Sequence, residues 1–440
     1  MATPVLRRSA TPTESTPKRL KPSFRNGFLA KLGPGLITGA SDDDPSGIAT
    51  YSQVGAQFGY GLLWTMFVTY PLMSAIQEIC ARIGRVTGCG LAANLRKNYP
   101  KPLLYLVLAA MAAANVFNLG ADIGAMGASL ALLLPVNTMM LTVVLGTASL
   151  LAVLFIPYST YVKYLKWLTF SLFAYPAVVF FVHIPWLSVT RATLIPHVTF
   201  SRDFLTALIA VLGTTISPYL FFWQASQEAE EVKGNEGEEP LKRAPAQADA
   251  QLGRIRTDTY AGMAFSNAVA FFIILTAAST LHPAGITNVA TCAQAAAALK
   301  PIAGRFAFGL FACGIVGTGL LAVPVLASSA AYGIAEGCHW RVSLESSPKQ
   351  AVGFYTAISV AIFIGIMMNF LHIDPVKALF WSAVLNGLIA ASLMAIIMVL
   401  ASNRKVMGTF VIPRYLRAIG WCATAVMLCV CAGVLLAWKG

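Results

Sequence analysis

Three consecutive acidic residues, Asp42, Asp43 and Asp44, interrupt an otherwise apolar stretch near the start of the chain. A carboxylate at the centre of a bilayer costs about 2.5–3.5 kcal/mol on insertion scales, so we expect these side chains to avoid lipid. They would then face a cavity, a cation or the end of a helix. Asp44 precedes Pro45, and this pair can simply begin a helix as its N-cap and first residue. Because that interpretation explains only one acid of the three, we predict a cation site at Asp44, with Asp42 and Asp43 in the site or its vestibule.

A second polar break occurs at 212–219, which reads Leu-Gly-Thr-Thr-Ile-Ser-Pro-Tyr between apolar flanks. Pro218 has no N–H and its ring disrupts the preceding helical turn, which frees backbone carbonyls. We predict that the Thr214 carbonyl and the Ser217 hydroxyl face the cation, with Tyr219 nearby. The alternative is a plain kink whose serine hydroxyl bonds back to its own helix. Carboxylate, carbonyl and hydroxyl oxygens together suit a hard cation such as Mg²⁺, Ca²⁺ or Mn²⁺.

The elements that must position these residues are membrane-spanning helices. Of the 440 residues, 57% are hydrophobic and 11% are charged, whereas soluble domains carry roughly 25% charged residues. This composition excludes an ordinary soluble enzyme and a disordered or fibrous chain. A spanning helix needs about 20 apolar residues. The apolar runs predict eleven spans, near 33–58, 61–83, 103–134, 138–157, 163–183, 203–226, 260–281, 305–335, 351–372, 374–400 and 418–438.

The basic residues predict how these spans are oriented. The formal net charge is +13, from 31 Lys and Arg against 18 Asp and Glu. With the amino terminus in the cytoplasm, 25 of the 31 basic residues fall on the cytoplasmic side, as the positive-inside rule requires. The surplus therefore indicates topology and not nucleic-acid binding. We predict a multi-pass plasma-membrane protein, as in a bacterial inner membrane, with a cytoplasmic amino terminus and an extracytoplasmic carboxyl terminus.

The two polar breaks lie five spans apart. Paired Gly/Pro interruptions in two halves of a chain indicate inverted repeats whose half-helices meet at a midplane site. We predict an all-α polytopic membrane protein with a five-plus-five inverted repeat and an eleventh helix. Its parts are a disordered basic cytoplasmic tail (1–32), a first repeat (33–183), an extracellular loop (184–202), a second repeat (203–400) containing a solvated cytoplasmic linker (227–259), and a loop with the eleventh helix (401–440).

At these residues the sequence resembles the Nramp family of divalent-metal transporters. The run Gly33-Pro-Gly-Leu, then Asp44-Pro-Ser-Gly, then Gln53 to Tyr60 matches the family's first helix, where the usual motif is Asp-Pro-Gly-Asn. The stretch 81–88 fits the end of its second helix. The resemblance covers nearly all of 28–438 and includes the eleven-span count. It implies a LeuT-like fold with helices 1 and 6 broken, alternating access, and a divalent metal ion as substrate with no separate cofactor.

The departures from the family pattern concern the metal site. Asp44 matches the family's metal-binding Asp, but Gly47 stands where the metal-binding Asn belongs. Ser217-Pro-Tyr replaces the family's Met-Pro-His, and loss of the soft thioether removes a preference for transition metals. The pattern resembles the Nramp-related magnesium transporter branch. Small residues at 47 and 217 would leave room for the waters that Mg²⁺ retains. The resemblance thus implies a metal site at Asp44, Gly47, Thr214 and Ser217.

The family's proton route is also altered. It uses an Asp and a Glu in the third span and two His in the sixth, and the aligned residues here are Asn118, Ala121, Tyr219 and Gln224. Asp122 is adjacent but points about 100° away around the helix axis, so it need not substitute. We therefore predict transport without proton coupling.

Two further polar residues lie within predicted spans. Glu78 is a second intramembrane acid, suited to the vestibule or to an ion pair with Arg82. Asn386 matches the polar residue with which the tenth helix closes the family's site, or it makes an interhelical hydrogen bond. The acids near Glu228 could line the inner exit.

Other functions stay open at this point. The transport alternative is a proton-coupled Mn²⁺/Fe²⁺ symporter of the ordinary Nramp type. A sodium-coupled amino-acid symporter shares the broken helices, although three acids at the site favour a cation over a carboxylate substrate. An intramembrane hydrolase lacks support because the chain has no HExxH motif. We predict a secondary transporter, not an enzyme, whose partners are the lipid bilayer and its metal ion, with no nucleic acid and no obligate protein partner.

Overall fold

The computed structural model describes residues 38–39, 41–156, 160–161, 168–235, 237–344 and 347–439, and every regular element in them is a helix. In chain order the α-helices are α1 Pro45–Phe58, α2 Trp64–Thr87, α3 Leu91–Asn98, α4 Lys101–Leu130, α5 Thr138–Phe155, α6 Ala174–Val178, α7 Trp186–Leu194, α8 Arg202–Thr215, α9 Pro218–Gly234, α10 Ala248–Thr280, α11 Cys292–Ala297, α12 Lys300–Ala303, α13 Ala307–Gly337, α14 Val352–Met368, α15 Pro375–Ser402, α16 Arg404–Met407 and α17 Arg414–Lys439. The predicted tail over 1–32 lies outside the described residues.

Eight helical stretches of the described residues are long and apolar enough to cross a membrane. They are Lys101–Leu130, Thr138–Phe155, Arg202–Gly234, Pro245–Thr280, Lys300–Gly337, Val352–Leu371, Pro375–Ser402 and Arg414–Trp438. These stretches match the predicted third, fourth and sixth to eleventh spans. The predicted second span is α2, a helix of 24 residues whose second half carries Glu78, Arg82 and Arg85. The predicted first and fifth spans fall only partly within the described residues.

Both predicted breaks are present. In the sixth span α8 ends at Thr215 and α9 begins at Pro218, so two residues separate the half-helices. In the first span α1 begins at Pro45, directly after the acidic triplet. Proline is favoured at the first helical position because its missing N–H would have no partner there. Local chemistry therefore places both breaks.

The sixth span lies at the centre of the molecule. In the most apolar stretch of this span 94% of the residues are buried, whereas in the eleventh span, α17, 33% are buried. α8 packs against α15, and α1 packs against α10. The α8–α15 crossing is so close that a Cβ on Gly213 would overlap the Ala383 carbonyl and the Gly387 backbone. Glycine at these positions brings α15, which is the tenth span, next to the break in the sixth span.

The predicted solvated cytoplasmic linker over 227–259 begins and ends in helices. α9 continues to Gly234 and α10 starts at Ala248, so most of that range is helical. Glu228 is fully buried, and its carboxylate pairs with Arg254 at 2.6 Å. Much of 233–257 is exposed, and ion pairing with Arg254 allows Glu228 to be buried.

Candidate metal site

Asp44 is the N-cap of α1 and is 1% exposed. Its Oδ1 accepts hydrogen bonds from the Gly47 N–H and the Ser46 hydroxyl, each at 2.7 Å. Its Oδ2 accepts from the Asn118 amide at 3.0 Å. The N-cap interpretation is therefore correct for the local geometry. A carboxylate offers about four lone-pair positions, and the hydrogen bonds from Ser46, Gly47 and Asn118 occupy most of them.

A chain of side chains connects Asp44 to the tenth span. The Ser382 hydroxyl of α15 donates to Asn118 Oδ1 at 2.7 Å, while the Asn118 amide donates to Asp44. All three residues are buried. Sequence reasoning missed Ser382, although it lies four residues before Asn386 and therefore on the same helix face. The three side chains join spans 1, 3 and 10 and fix the orientation of the Asp44 carboxylate.

The break in the sixth span faces the first turn of α1. A Cβ built on Gly47 would lie 3.4 Å from Thr214 Oγ1, 3.3 Å from a ring carbon of Tyr51 and 3.5 Å from the Asp42 carbonyl oxygen. The predicted residues Asp44, Gly47 and Thr214 are thus brought together, with two oxygen atoms and one ring carbon beside Gly47. Tyr51 was not singled out from the sequence, because an apolar helix carries no signal that distinguishes it.

Ser217, in the break of the sixth span, bonds two backbone carbonyls at the end of α8. Its hydroxyl lies 3.0 Å from the Gly213 carbonyl and 2.8 Å from the Thr214 carbonyl and donates to this pair. Carbonyls at a helix end have no partner within the helix and take the nearest donor. The kink with a hydroxyl back-bond is therefore the arrangement present, and the Thr214 carbonyl is hydrogen-bonded to Ser217.

Asp42 and Asp43 turn toward the seventh span and not toward Asn118. The Ser266 hydroxyl of α10 lies 2.7 Å from Asp42 Oδ2 and 3.2 Å from Asp43 Oδ1. Both acids are 1% exposed, and the second oxygen of each has no hydrogen-bond partner among the described residues. The pair remains within electrostatic range of Asp44. The structure therefore separates the triplet into one capping acid and a buried pair beside it.

Tyr219 and Gln224 fasten α9 to the start of the first span. The Tyr219 hydroxyl donates to the Ser41 carbonyl at 3.0 Å, and the Gln224 side-chain oxygen accepts from the Thr38 hydroxyl. Both side chains are fully buried. These two aligned proton-route positions therefore hold the half-helices of spans 1 and 6 together.

The third span presents one more acid to this region. Ala121 is buried, and Asp122 beside it is fully buried, with its carboxylate next to the Ser46 backbone. Asp122 lies within electrostatic range of Asp44. The helical offset made its direction an open question, and the structure turns it toward the start of α1.

The two remaining sequence candidates have different surroundings. Asn386 is buried, and neither atom of its side-chain amide has a hydrogen-bond partner in the described part of the chain. The interhelical hydrogen bond considered for it is therefore not made there. Glu78 forms the expected ion pair with Arg82, at 2.6 Å.

The arrangement around Asp44 is one of oxygen donors. Among the described residues no group of three or more His, Cys, Asp and Glu side chains could hold a metal ion without other ligands. A cation beside Asp44 would therefore also use hydroxyl groups, backbone carbonyls or water. Such a mixed oxygen set is typical of hard cations that keep part of their hydration shell.

Comparison with known proteins identifies the family. The profile of the Nramp family, natural resistance-associated macrophage protein-like, matches residues 35–437. A relative from Klebsiella pneumoniae, the divalent metal cation transporter MntH, is 27% identical over 410 residues, which cover 91% of this chain and 92% of the relative.

Solved structures show the same architecture. The manganese transporter of Eremococcus coleocola, in complex with an aromatic bis-isothiourea substituted compound, matches with a TM-score of 0.71 at 19% identity, over 95% of this chain and 88% of that chain. Mhp1, a nucleobase-cation-symport-1 family transporter in a closed conformation, matches with a TM-score of 0.56 at 14% identity, over 96% of each chain. These similarities confirm the predicted LeuT-like fold.

Family membership also decides between the classes of function considered from the sequence. It excludes the intramembrane hydrolase, and it separates the chain from amino-acid symporters that share the broken helices. The resemblance noted at the Asp44 and Ser217 motifs is confirmed at the level of the family. The chain therefore belongs to the Nramp family of divalent-metal transporters and is a membrane transport protein, not an enzyme.

Proposed function

We propose that this chain imports divalent cations by alternating access, prefers a hard ion such as Mg²⁺ while also accepting Mn²⁺, and does not couple transport to protons. The observation that supports the ion preference is the chemistry of the residues in contact with Asp44 and Gly47. Ser46, Asn118 and Thr214 offer hydroxyl and amide groups to this site. None of them supplies the thioether or imidazole that favours softer transition metals.

The same contacts support uncoupled transport. Asn118 holds Asp44 Oδ2 with an amide, and an amide exchanges no proton at physiological pH. Ser382 in turn occupies the Asn118 oxygen. Import of a cation without protons needs only the membrane potential, which favours entry of positive charge into the cytoplasm.

The relatives support a second candidate function, that of a proton-coupled Mn²⁺/Fe²⁺ symporter. MntH of Klebsiella pneumoniae is named a divalent metal cation transporter, and the Eremococcus protein is named a manganese transporter. Asp122 favours this candidate, because a buried carboxylate near Asp44 could carry a proton. The two candidates differ in ion competition and in proton movement.

Reconstitution of the purified protein in liposomes distinguishes them. We expect millimolar Mg²⁺ to inhibit Mn²⁺ uptake strongly and an internal pH indicator to stay constant during uptake. If millimolar Mg²⁺ does not inhibit Mn²⁺ uptake, and the lumen acidifies in proportion to the metal taken up, the protein is the proton-coupled symporter instead.

The site assignment is tested in the same assay with Asp44→Asn. Asn serves as an N-cap as well as Asp does, so this substitution removes charge while keeping the start of α1. We expect loss of metal affinity on the order of a hundredfold. Asp203→Asn is the matched control, since Asp203 is an exposed acid in the first turn of α8.

A further inference from the structure

An arginine–glutamate cluster, in which one arginine and one glutamate are fully buried, joins the ends of spans 2 and 6 to the start of span 7. We define it as Arg85, Arg254, Glu228, Glu231 and Glu238. Arg254 pairs with Glu228 at 2.6 Å and with Glu231 at 2.9 Å. Arg85 pairs with Glu238 at 2.6 Å and approaches Glu231 to 4.0 Å. Glu231 therefore connects the two arginines, and the predicted orientation places the cluster at the cytoplasmic side.

The burial of this cluster is unusual for a purely stabilising contact. The side chains of Arg85 and Glu228 are 0% exposed. Removing an ion pair from water carries a desolvation cost that apolar residues of similar volume avoid. One Glu228 oxygen and one nitrogen of Arg254 also lack hydrogen-bond partners among the described residues. Opening to water would satisfy these atoms, so the contact is suited to repeated breaking.

One side of the cluster is held by the linker after α9. The Leu241 N–H donates to the Arg85 carbonyl at 3.2 Å, and the Lys242 N–H donates to the Val86 carbonyl at 3.3 Å. The C-cap of α2 is Gly88, with a φ of 66°, and a Cβ there would lie 2.6 Å from a ring carbon of Pro240. The linker is therefore fixed on the end of α2, and it presents Glu238 to Arg85.

The other side of the cluster is α9, the inner half of the broken sixth span. Its N-cap is Ser217, beside the candidate metal site. Glu228 and Glu231 lie 11 and 14 residues further on, which corresponds to roughly 16–21 Å along a helix. The Ser226 hydroxyl also donates to Glu336 at 3.1 Å, which holds α9 to the end of α13. α9 is thus held by three neighbouring helices between the candidate site and this side of the protein.

We propose that the arginine–glutamate cluster is a cytoplasmic latch: it is closed in this structure, and its pairs break when α9 moves away from α2 and α10 to release the ion. The latch depends on the transporter fold and not on which cation is carried. Breaking it exposes the buried side chains of Arg85 and Glu228 to water and leaves the site residues at the other end of α9 unchanged.

Hydrogen–deuterium exchange of the purified protein tests the latch directly. In Arg254→Gln we expect the amides of 226–234 to exchange about tenfold faster than in the wild type, because local opening becomes easier. Arg256→Gln is the matched control. Arg256 lies on the same helix, and its guanidinium stacks on Tyr260 and Tyr415 at 6.0 and 5.7 Å. This control loses the same charge and should exchange like the wild type.

Two more variants keep the proposal falsifiable if Arg254→Gln folds poorly. Glu238→Gln, at a partly exposed linker residue, should also accelerate exchange in 226–234. The charge-swapped pair Glu228→Arg with Arg254→Glu should restore part of the protection, because the pair between 228 and 254 forms again while Glu231 then faces a carboxylate. Unchanged exchange in folded Arg254→Gln or Glu238→Gln overturns the latch, whatever the ion competition assay shows.

Discussion

Asp44 combines a structural role with the proposed ligand role. Its Oδ1 caps α1, and its Oδ2 is bound by Asn118. An N-cap contributes about 0.5–2 kcal/mol to stability, so an alanine at this position would change folding and ion binding together. Residues near Asp44 whose side chains make no capping hydrogen bond, such as Ser217, therefore give cleaner tests of ion selectivity.

The first such test is Ser217→Met. This change removes the hydroxyl that bonds the Gly213 and Thr214 carbonyls and places a thioether beside them. We expect the ratio of Mn²⁺ to Mg²⁺ affinity to rise about tenfold, because sulfur favours the softer ion. Calorimetric titration with each ion measures the ratio. Ser217→Ala is the control, and an equal ratio in both variants would mean that sulfur is not the cause.

The second test is Asn118→Asp, which places a carboxylate against Asp44 Oδ2. Two adjacent carboxylates retain a proton that a cation must displace. We expect metal affinity in this variant to fall more steeply than in the wild type as pH decreases. Titrations in two buffers of different ionisation enthalpy report the protons released. Asn118→Ala should show no such release, and a flat pH response in Asn118→Asp would contradict the argument.

At the scale of elements, the breaks are made by local chemistry and placed by close packing. Pro45 and Pro218 each begin a half-helix. What brings the second break to Ser382 is the approach of α8 to α15, where Gly213 meets Gly387 without space for a Cβ. The glycines therefore position the site from α8, the first half of the sixth span.

Gly213→Val tests this crossing. The added side chain must displace backbone atoms of α15, and we expect a loss of about 1–3 kcal/mol of stability from overpacking. The thermal unfolding midpoint in detergent measures the loss. Gly253→Ala is the matched control, because no atom lies within 4 Å of a Cβ there and α10 is a helix at that residue. It should raise stability by about 1 kcal/mol through helix propensity; equal midpoints in the two variants would contradict the packing argument.

At the scale of the whole molecule, the distribution of positive charge and the proposed uncoupled transport are related through the membrane potential. The 25 basic residues on the predicted cytoplasmic side orient the chain so that the membrane potential acts on an entering cation. An inside-negative potential of 100 mV is worth about 4.6 kcal/mol for a doubly charged ion, which corresponds to accumulation on the order of a thousandfold.

Uptake should therefore follow the membrane potential in the absence of a pH gradient. In liposomes with a potassium diffusion potential set by valinomycin, we expect Mg²⁺ uptake to increase as the lumen becomes more negative. A fluorescent indicator in the lumen measures the rate. Uptake that requires an inward proton gradient and ignores the potential would contradict the uncoupled mechanism.

The sequence by itself determined the features that depend on neighbouring residues. Hydropathy located the spans, since a helix in lipid satisfies its own backbone and needs only a long apolar run. Asp44-Pro45 and Ser217-Pro218 located both breaks, because a cap and a proline act within one turn. These motifs also carried the family resemblance.

Only the tertiary structure decided which distant groups complete the site. Asn118 lies 74 residues from Asp44, and Ser382 lies 264 residues from Asn118. The same packing turned Asp42 and Asp43 toward Ser266, 224 and 223 residues away. It also buried Glu228 in a segment whose charge had indicated a solvated linker. Hydrogen-bond partners and ion pairs between helices are set by how the helices pack, and no local pattern in a single sequence specifies that packing.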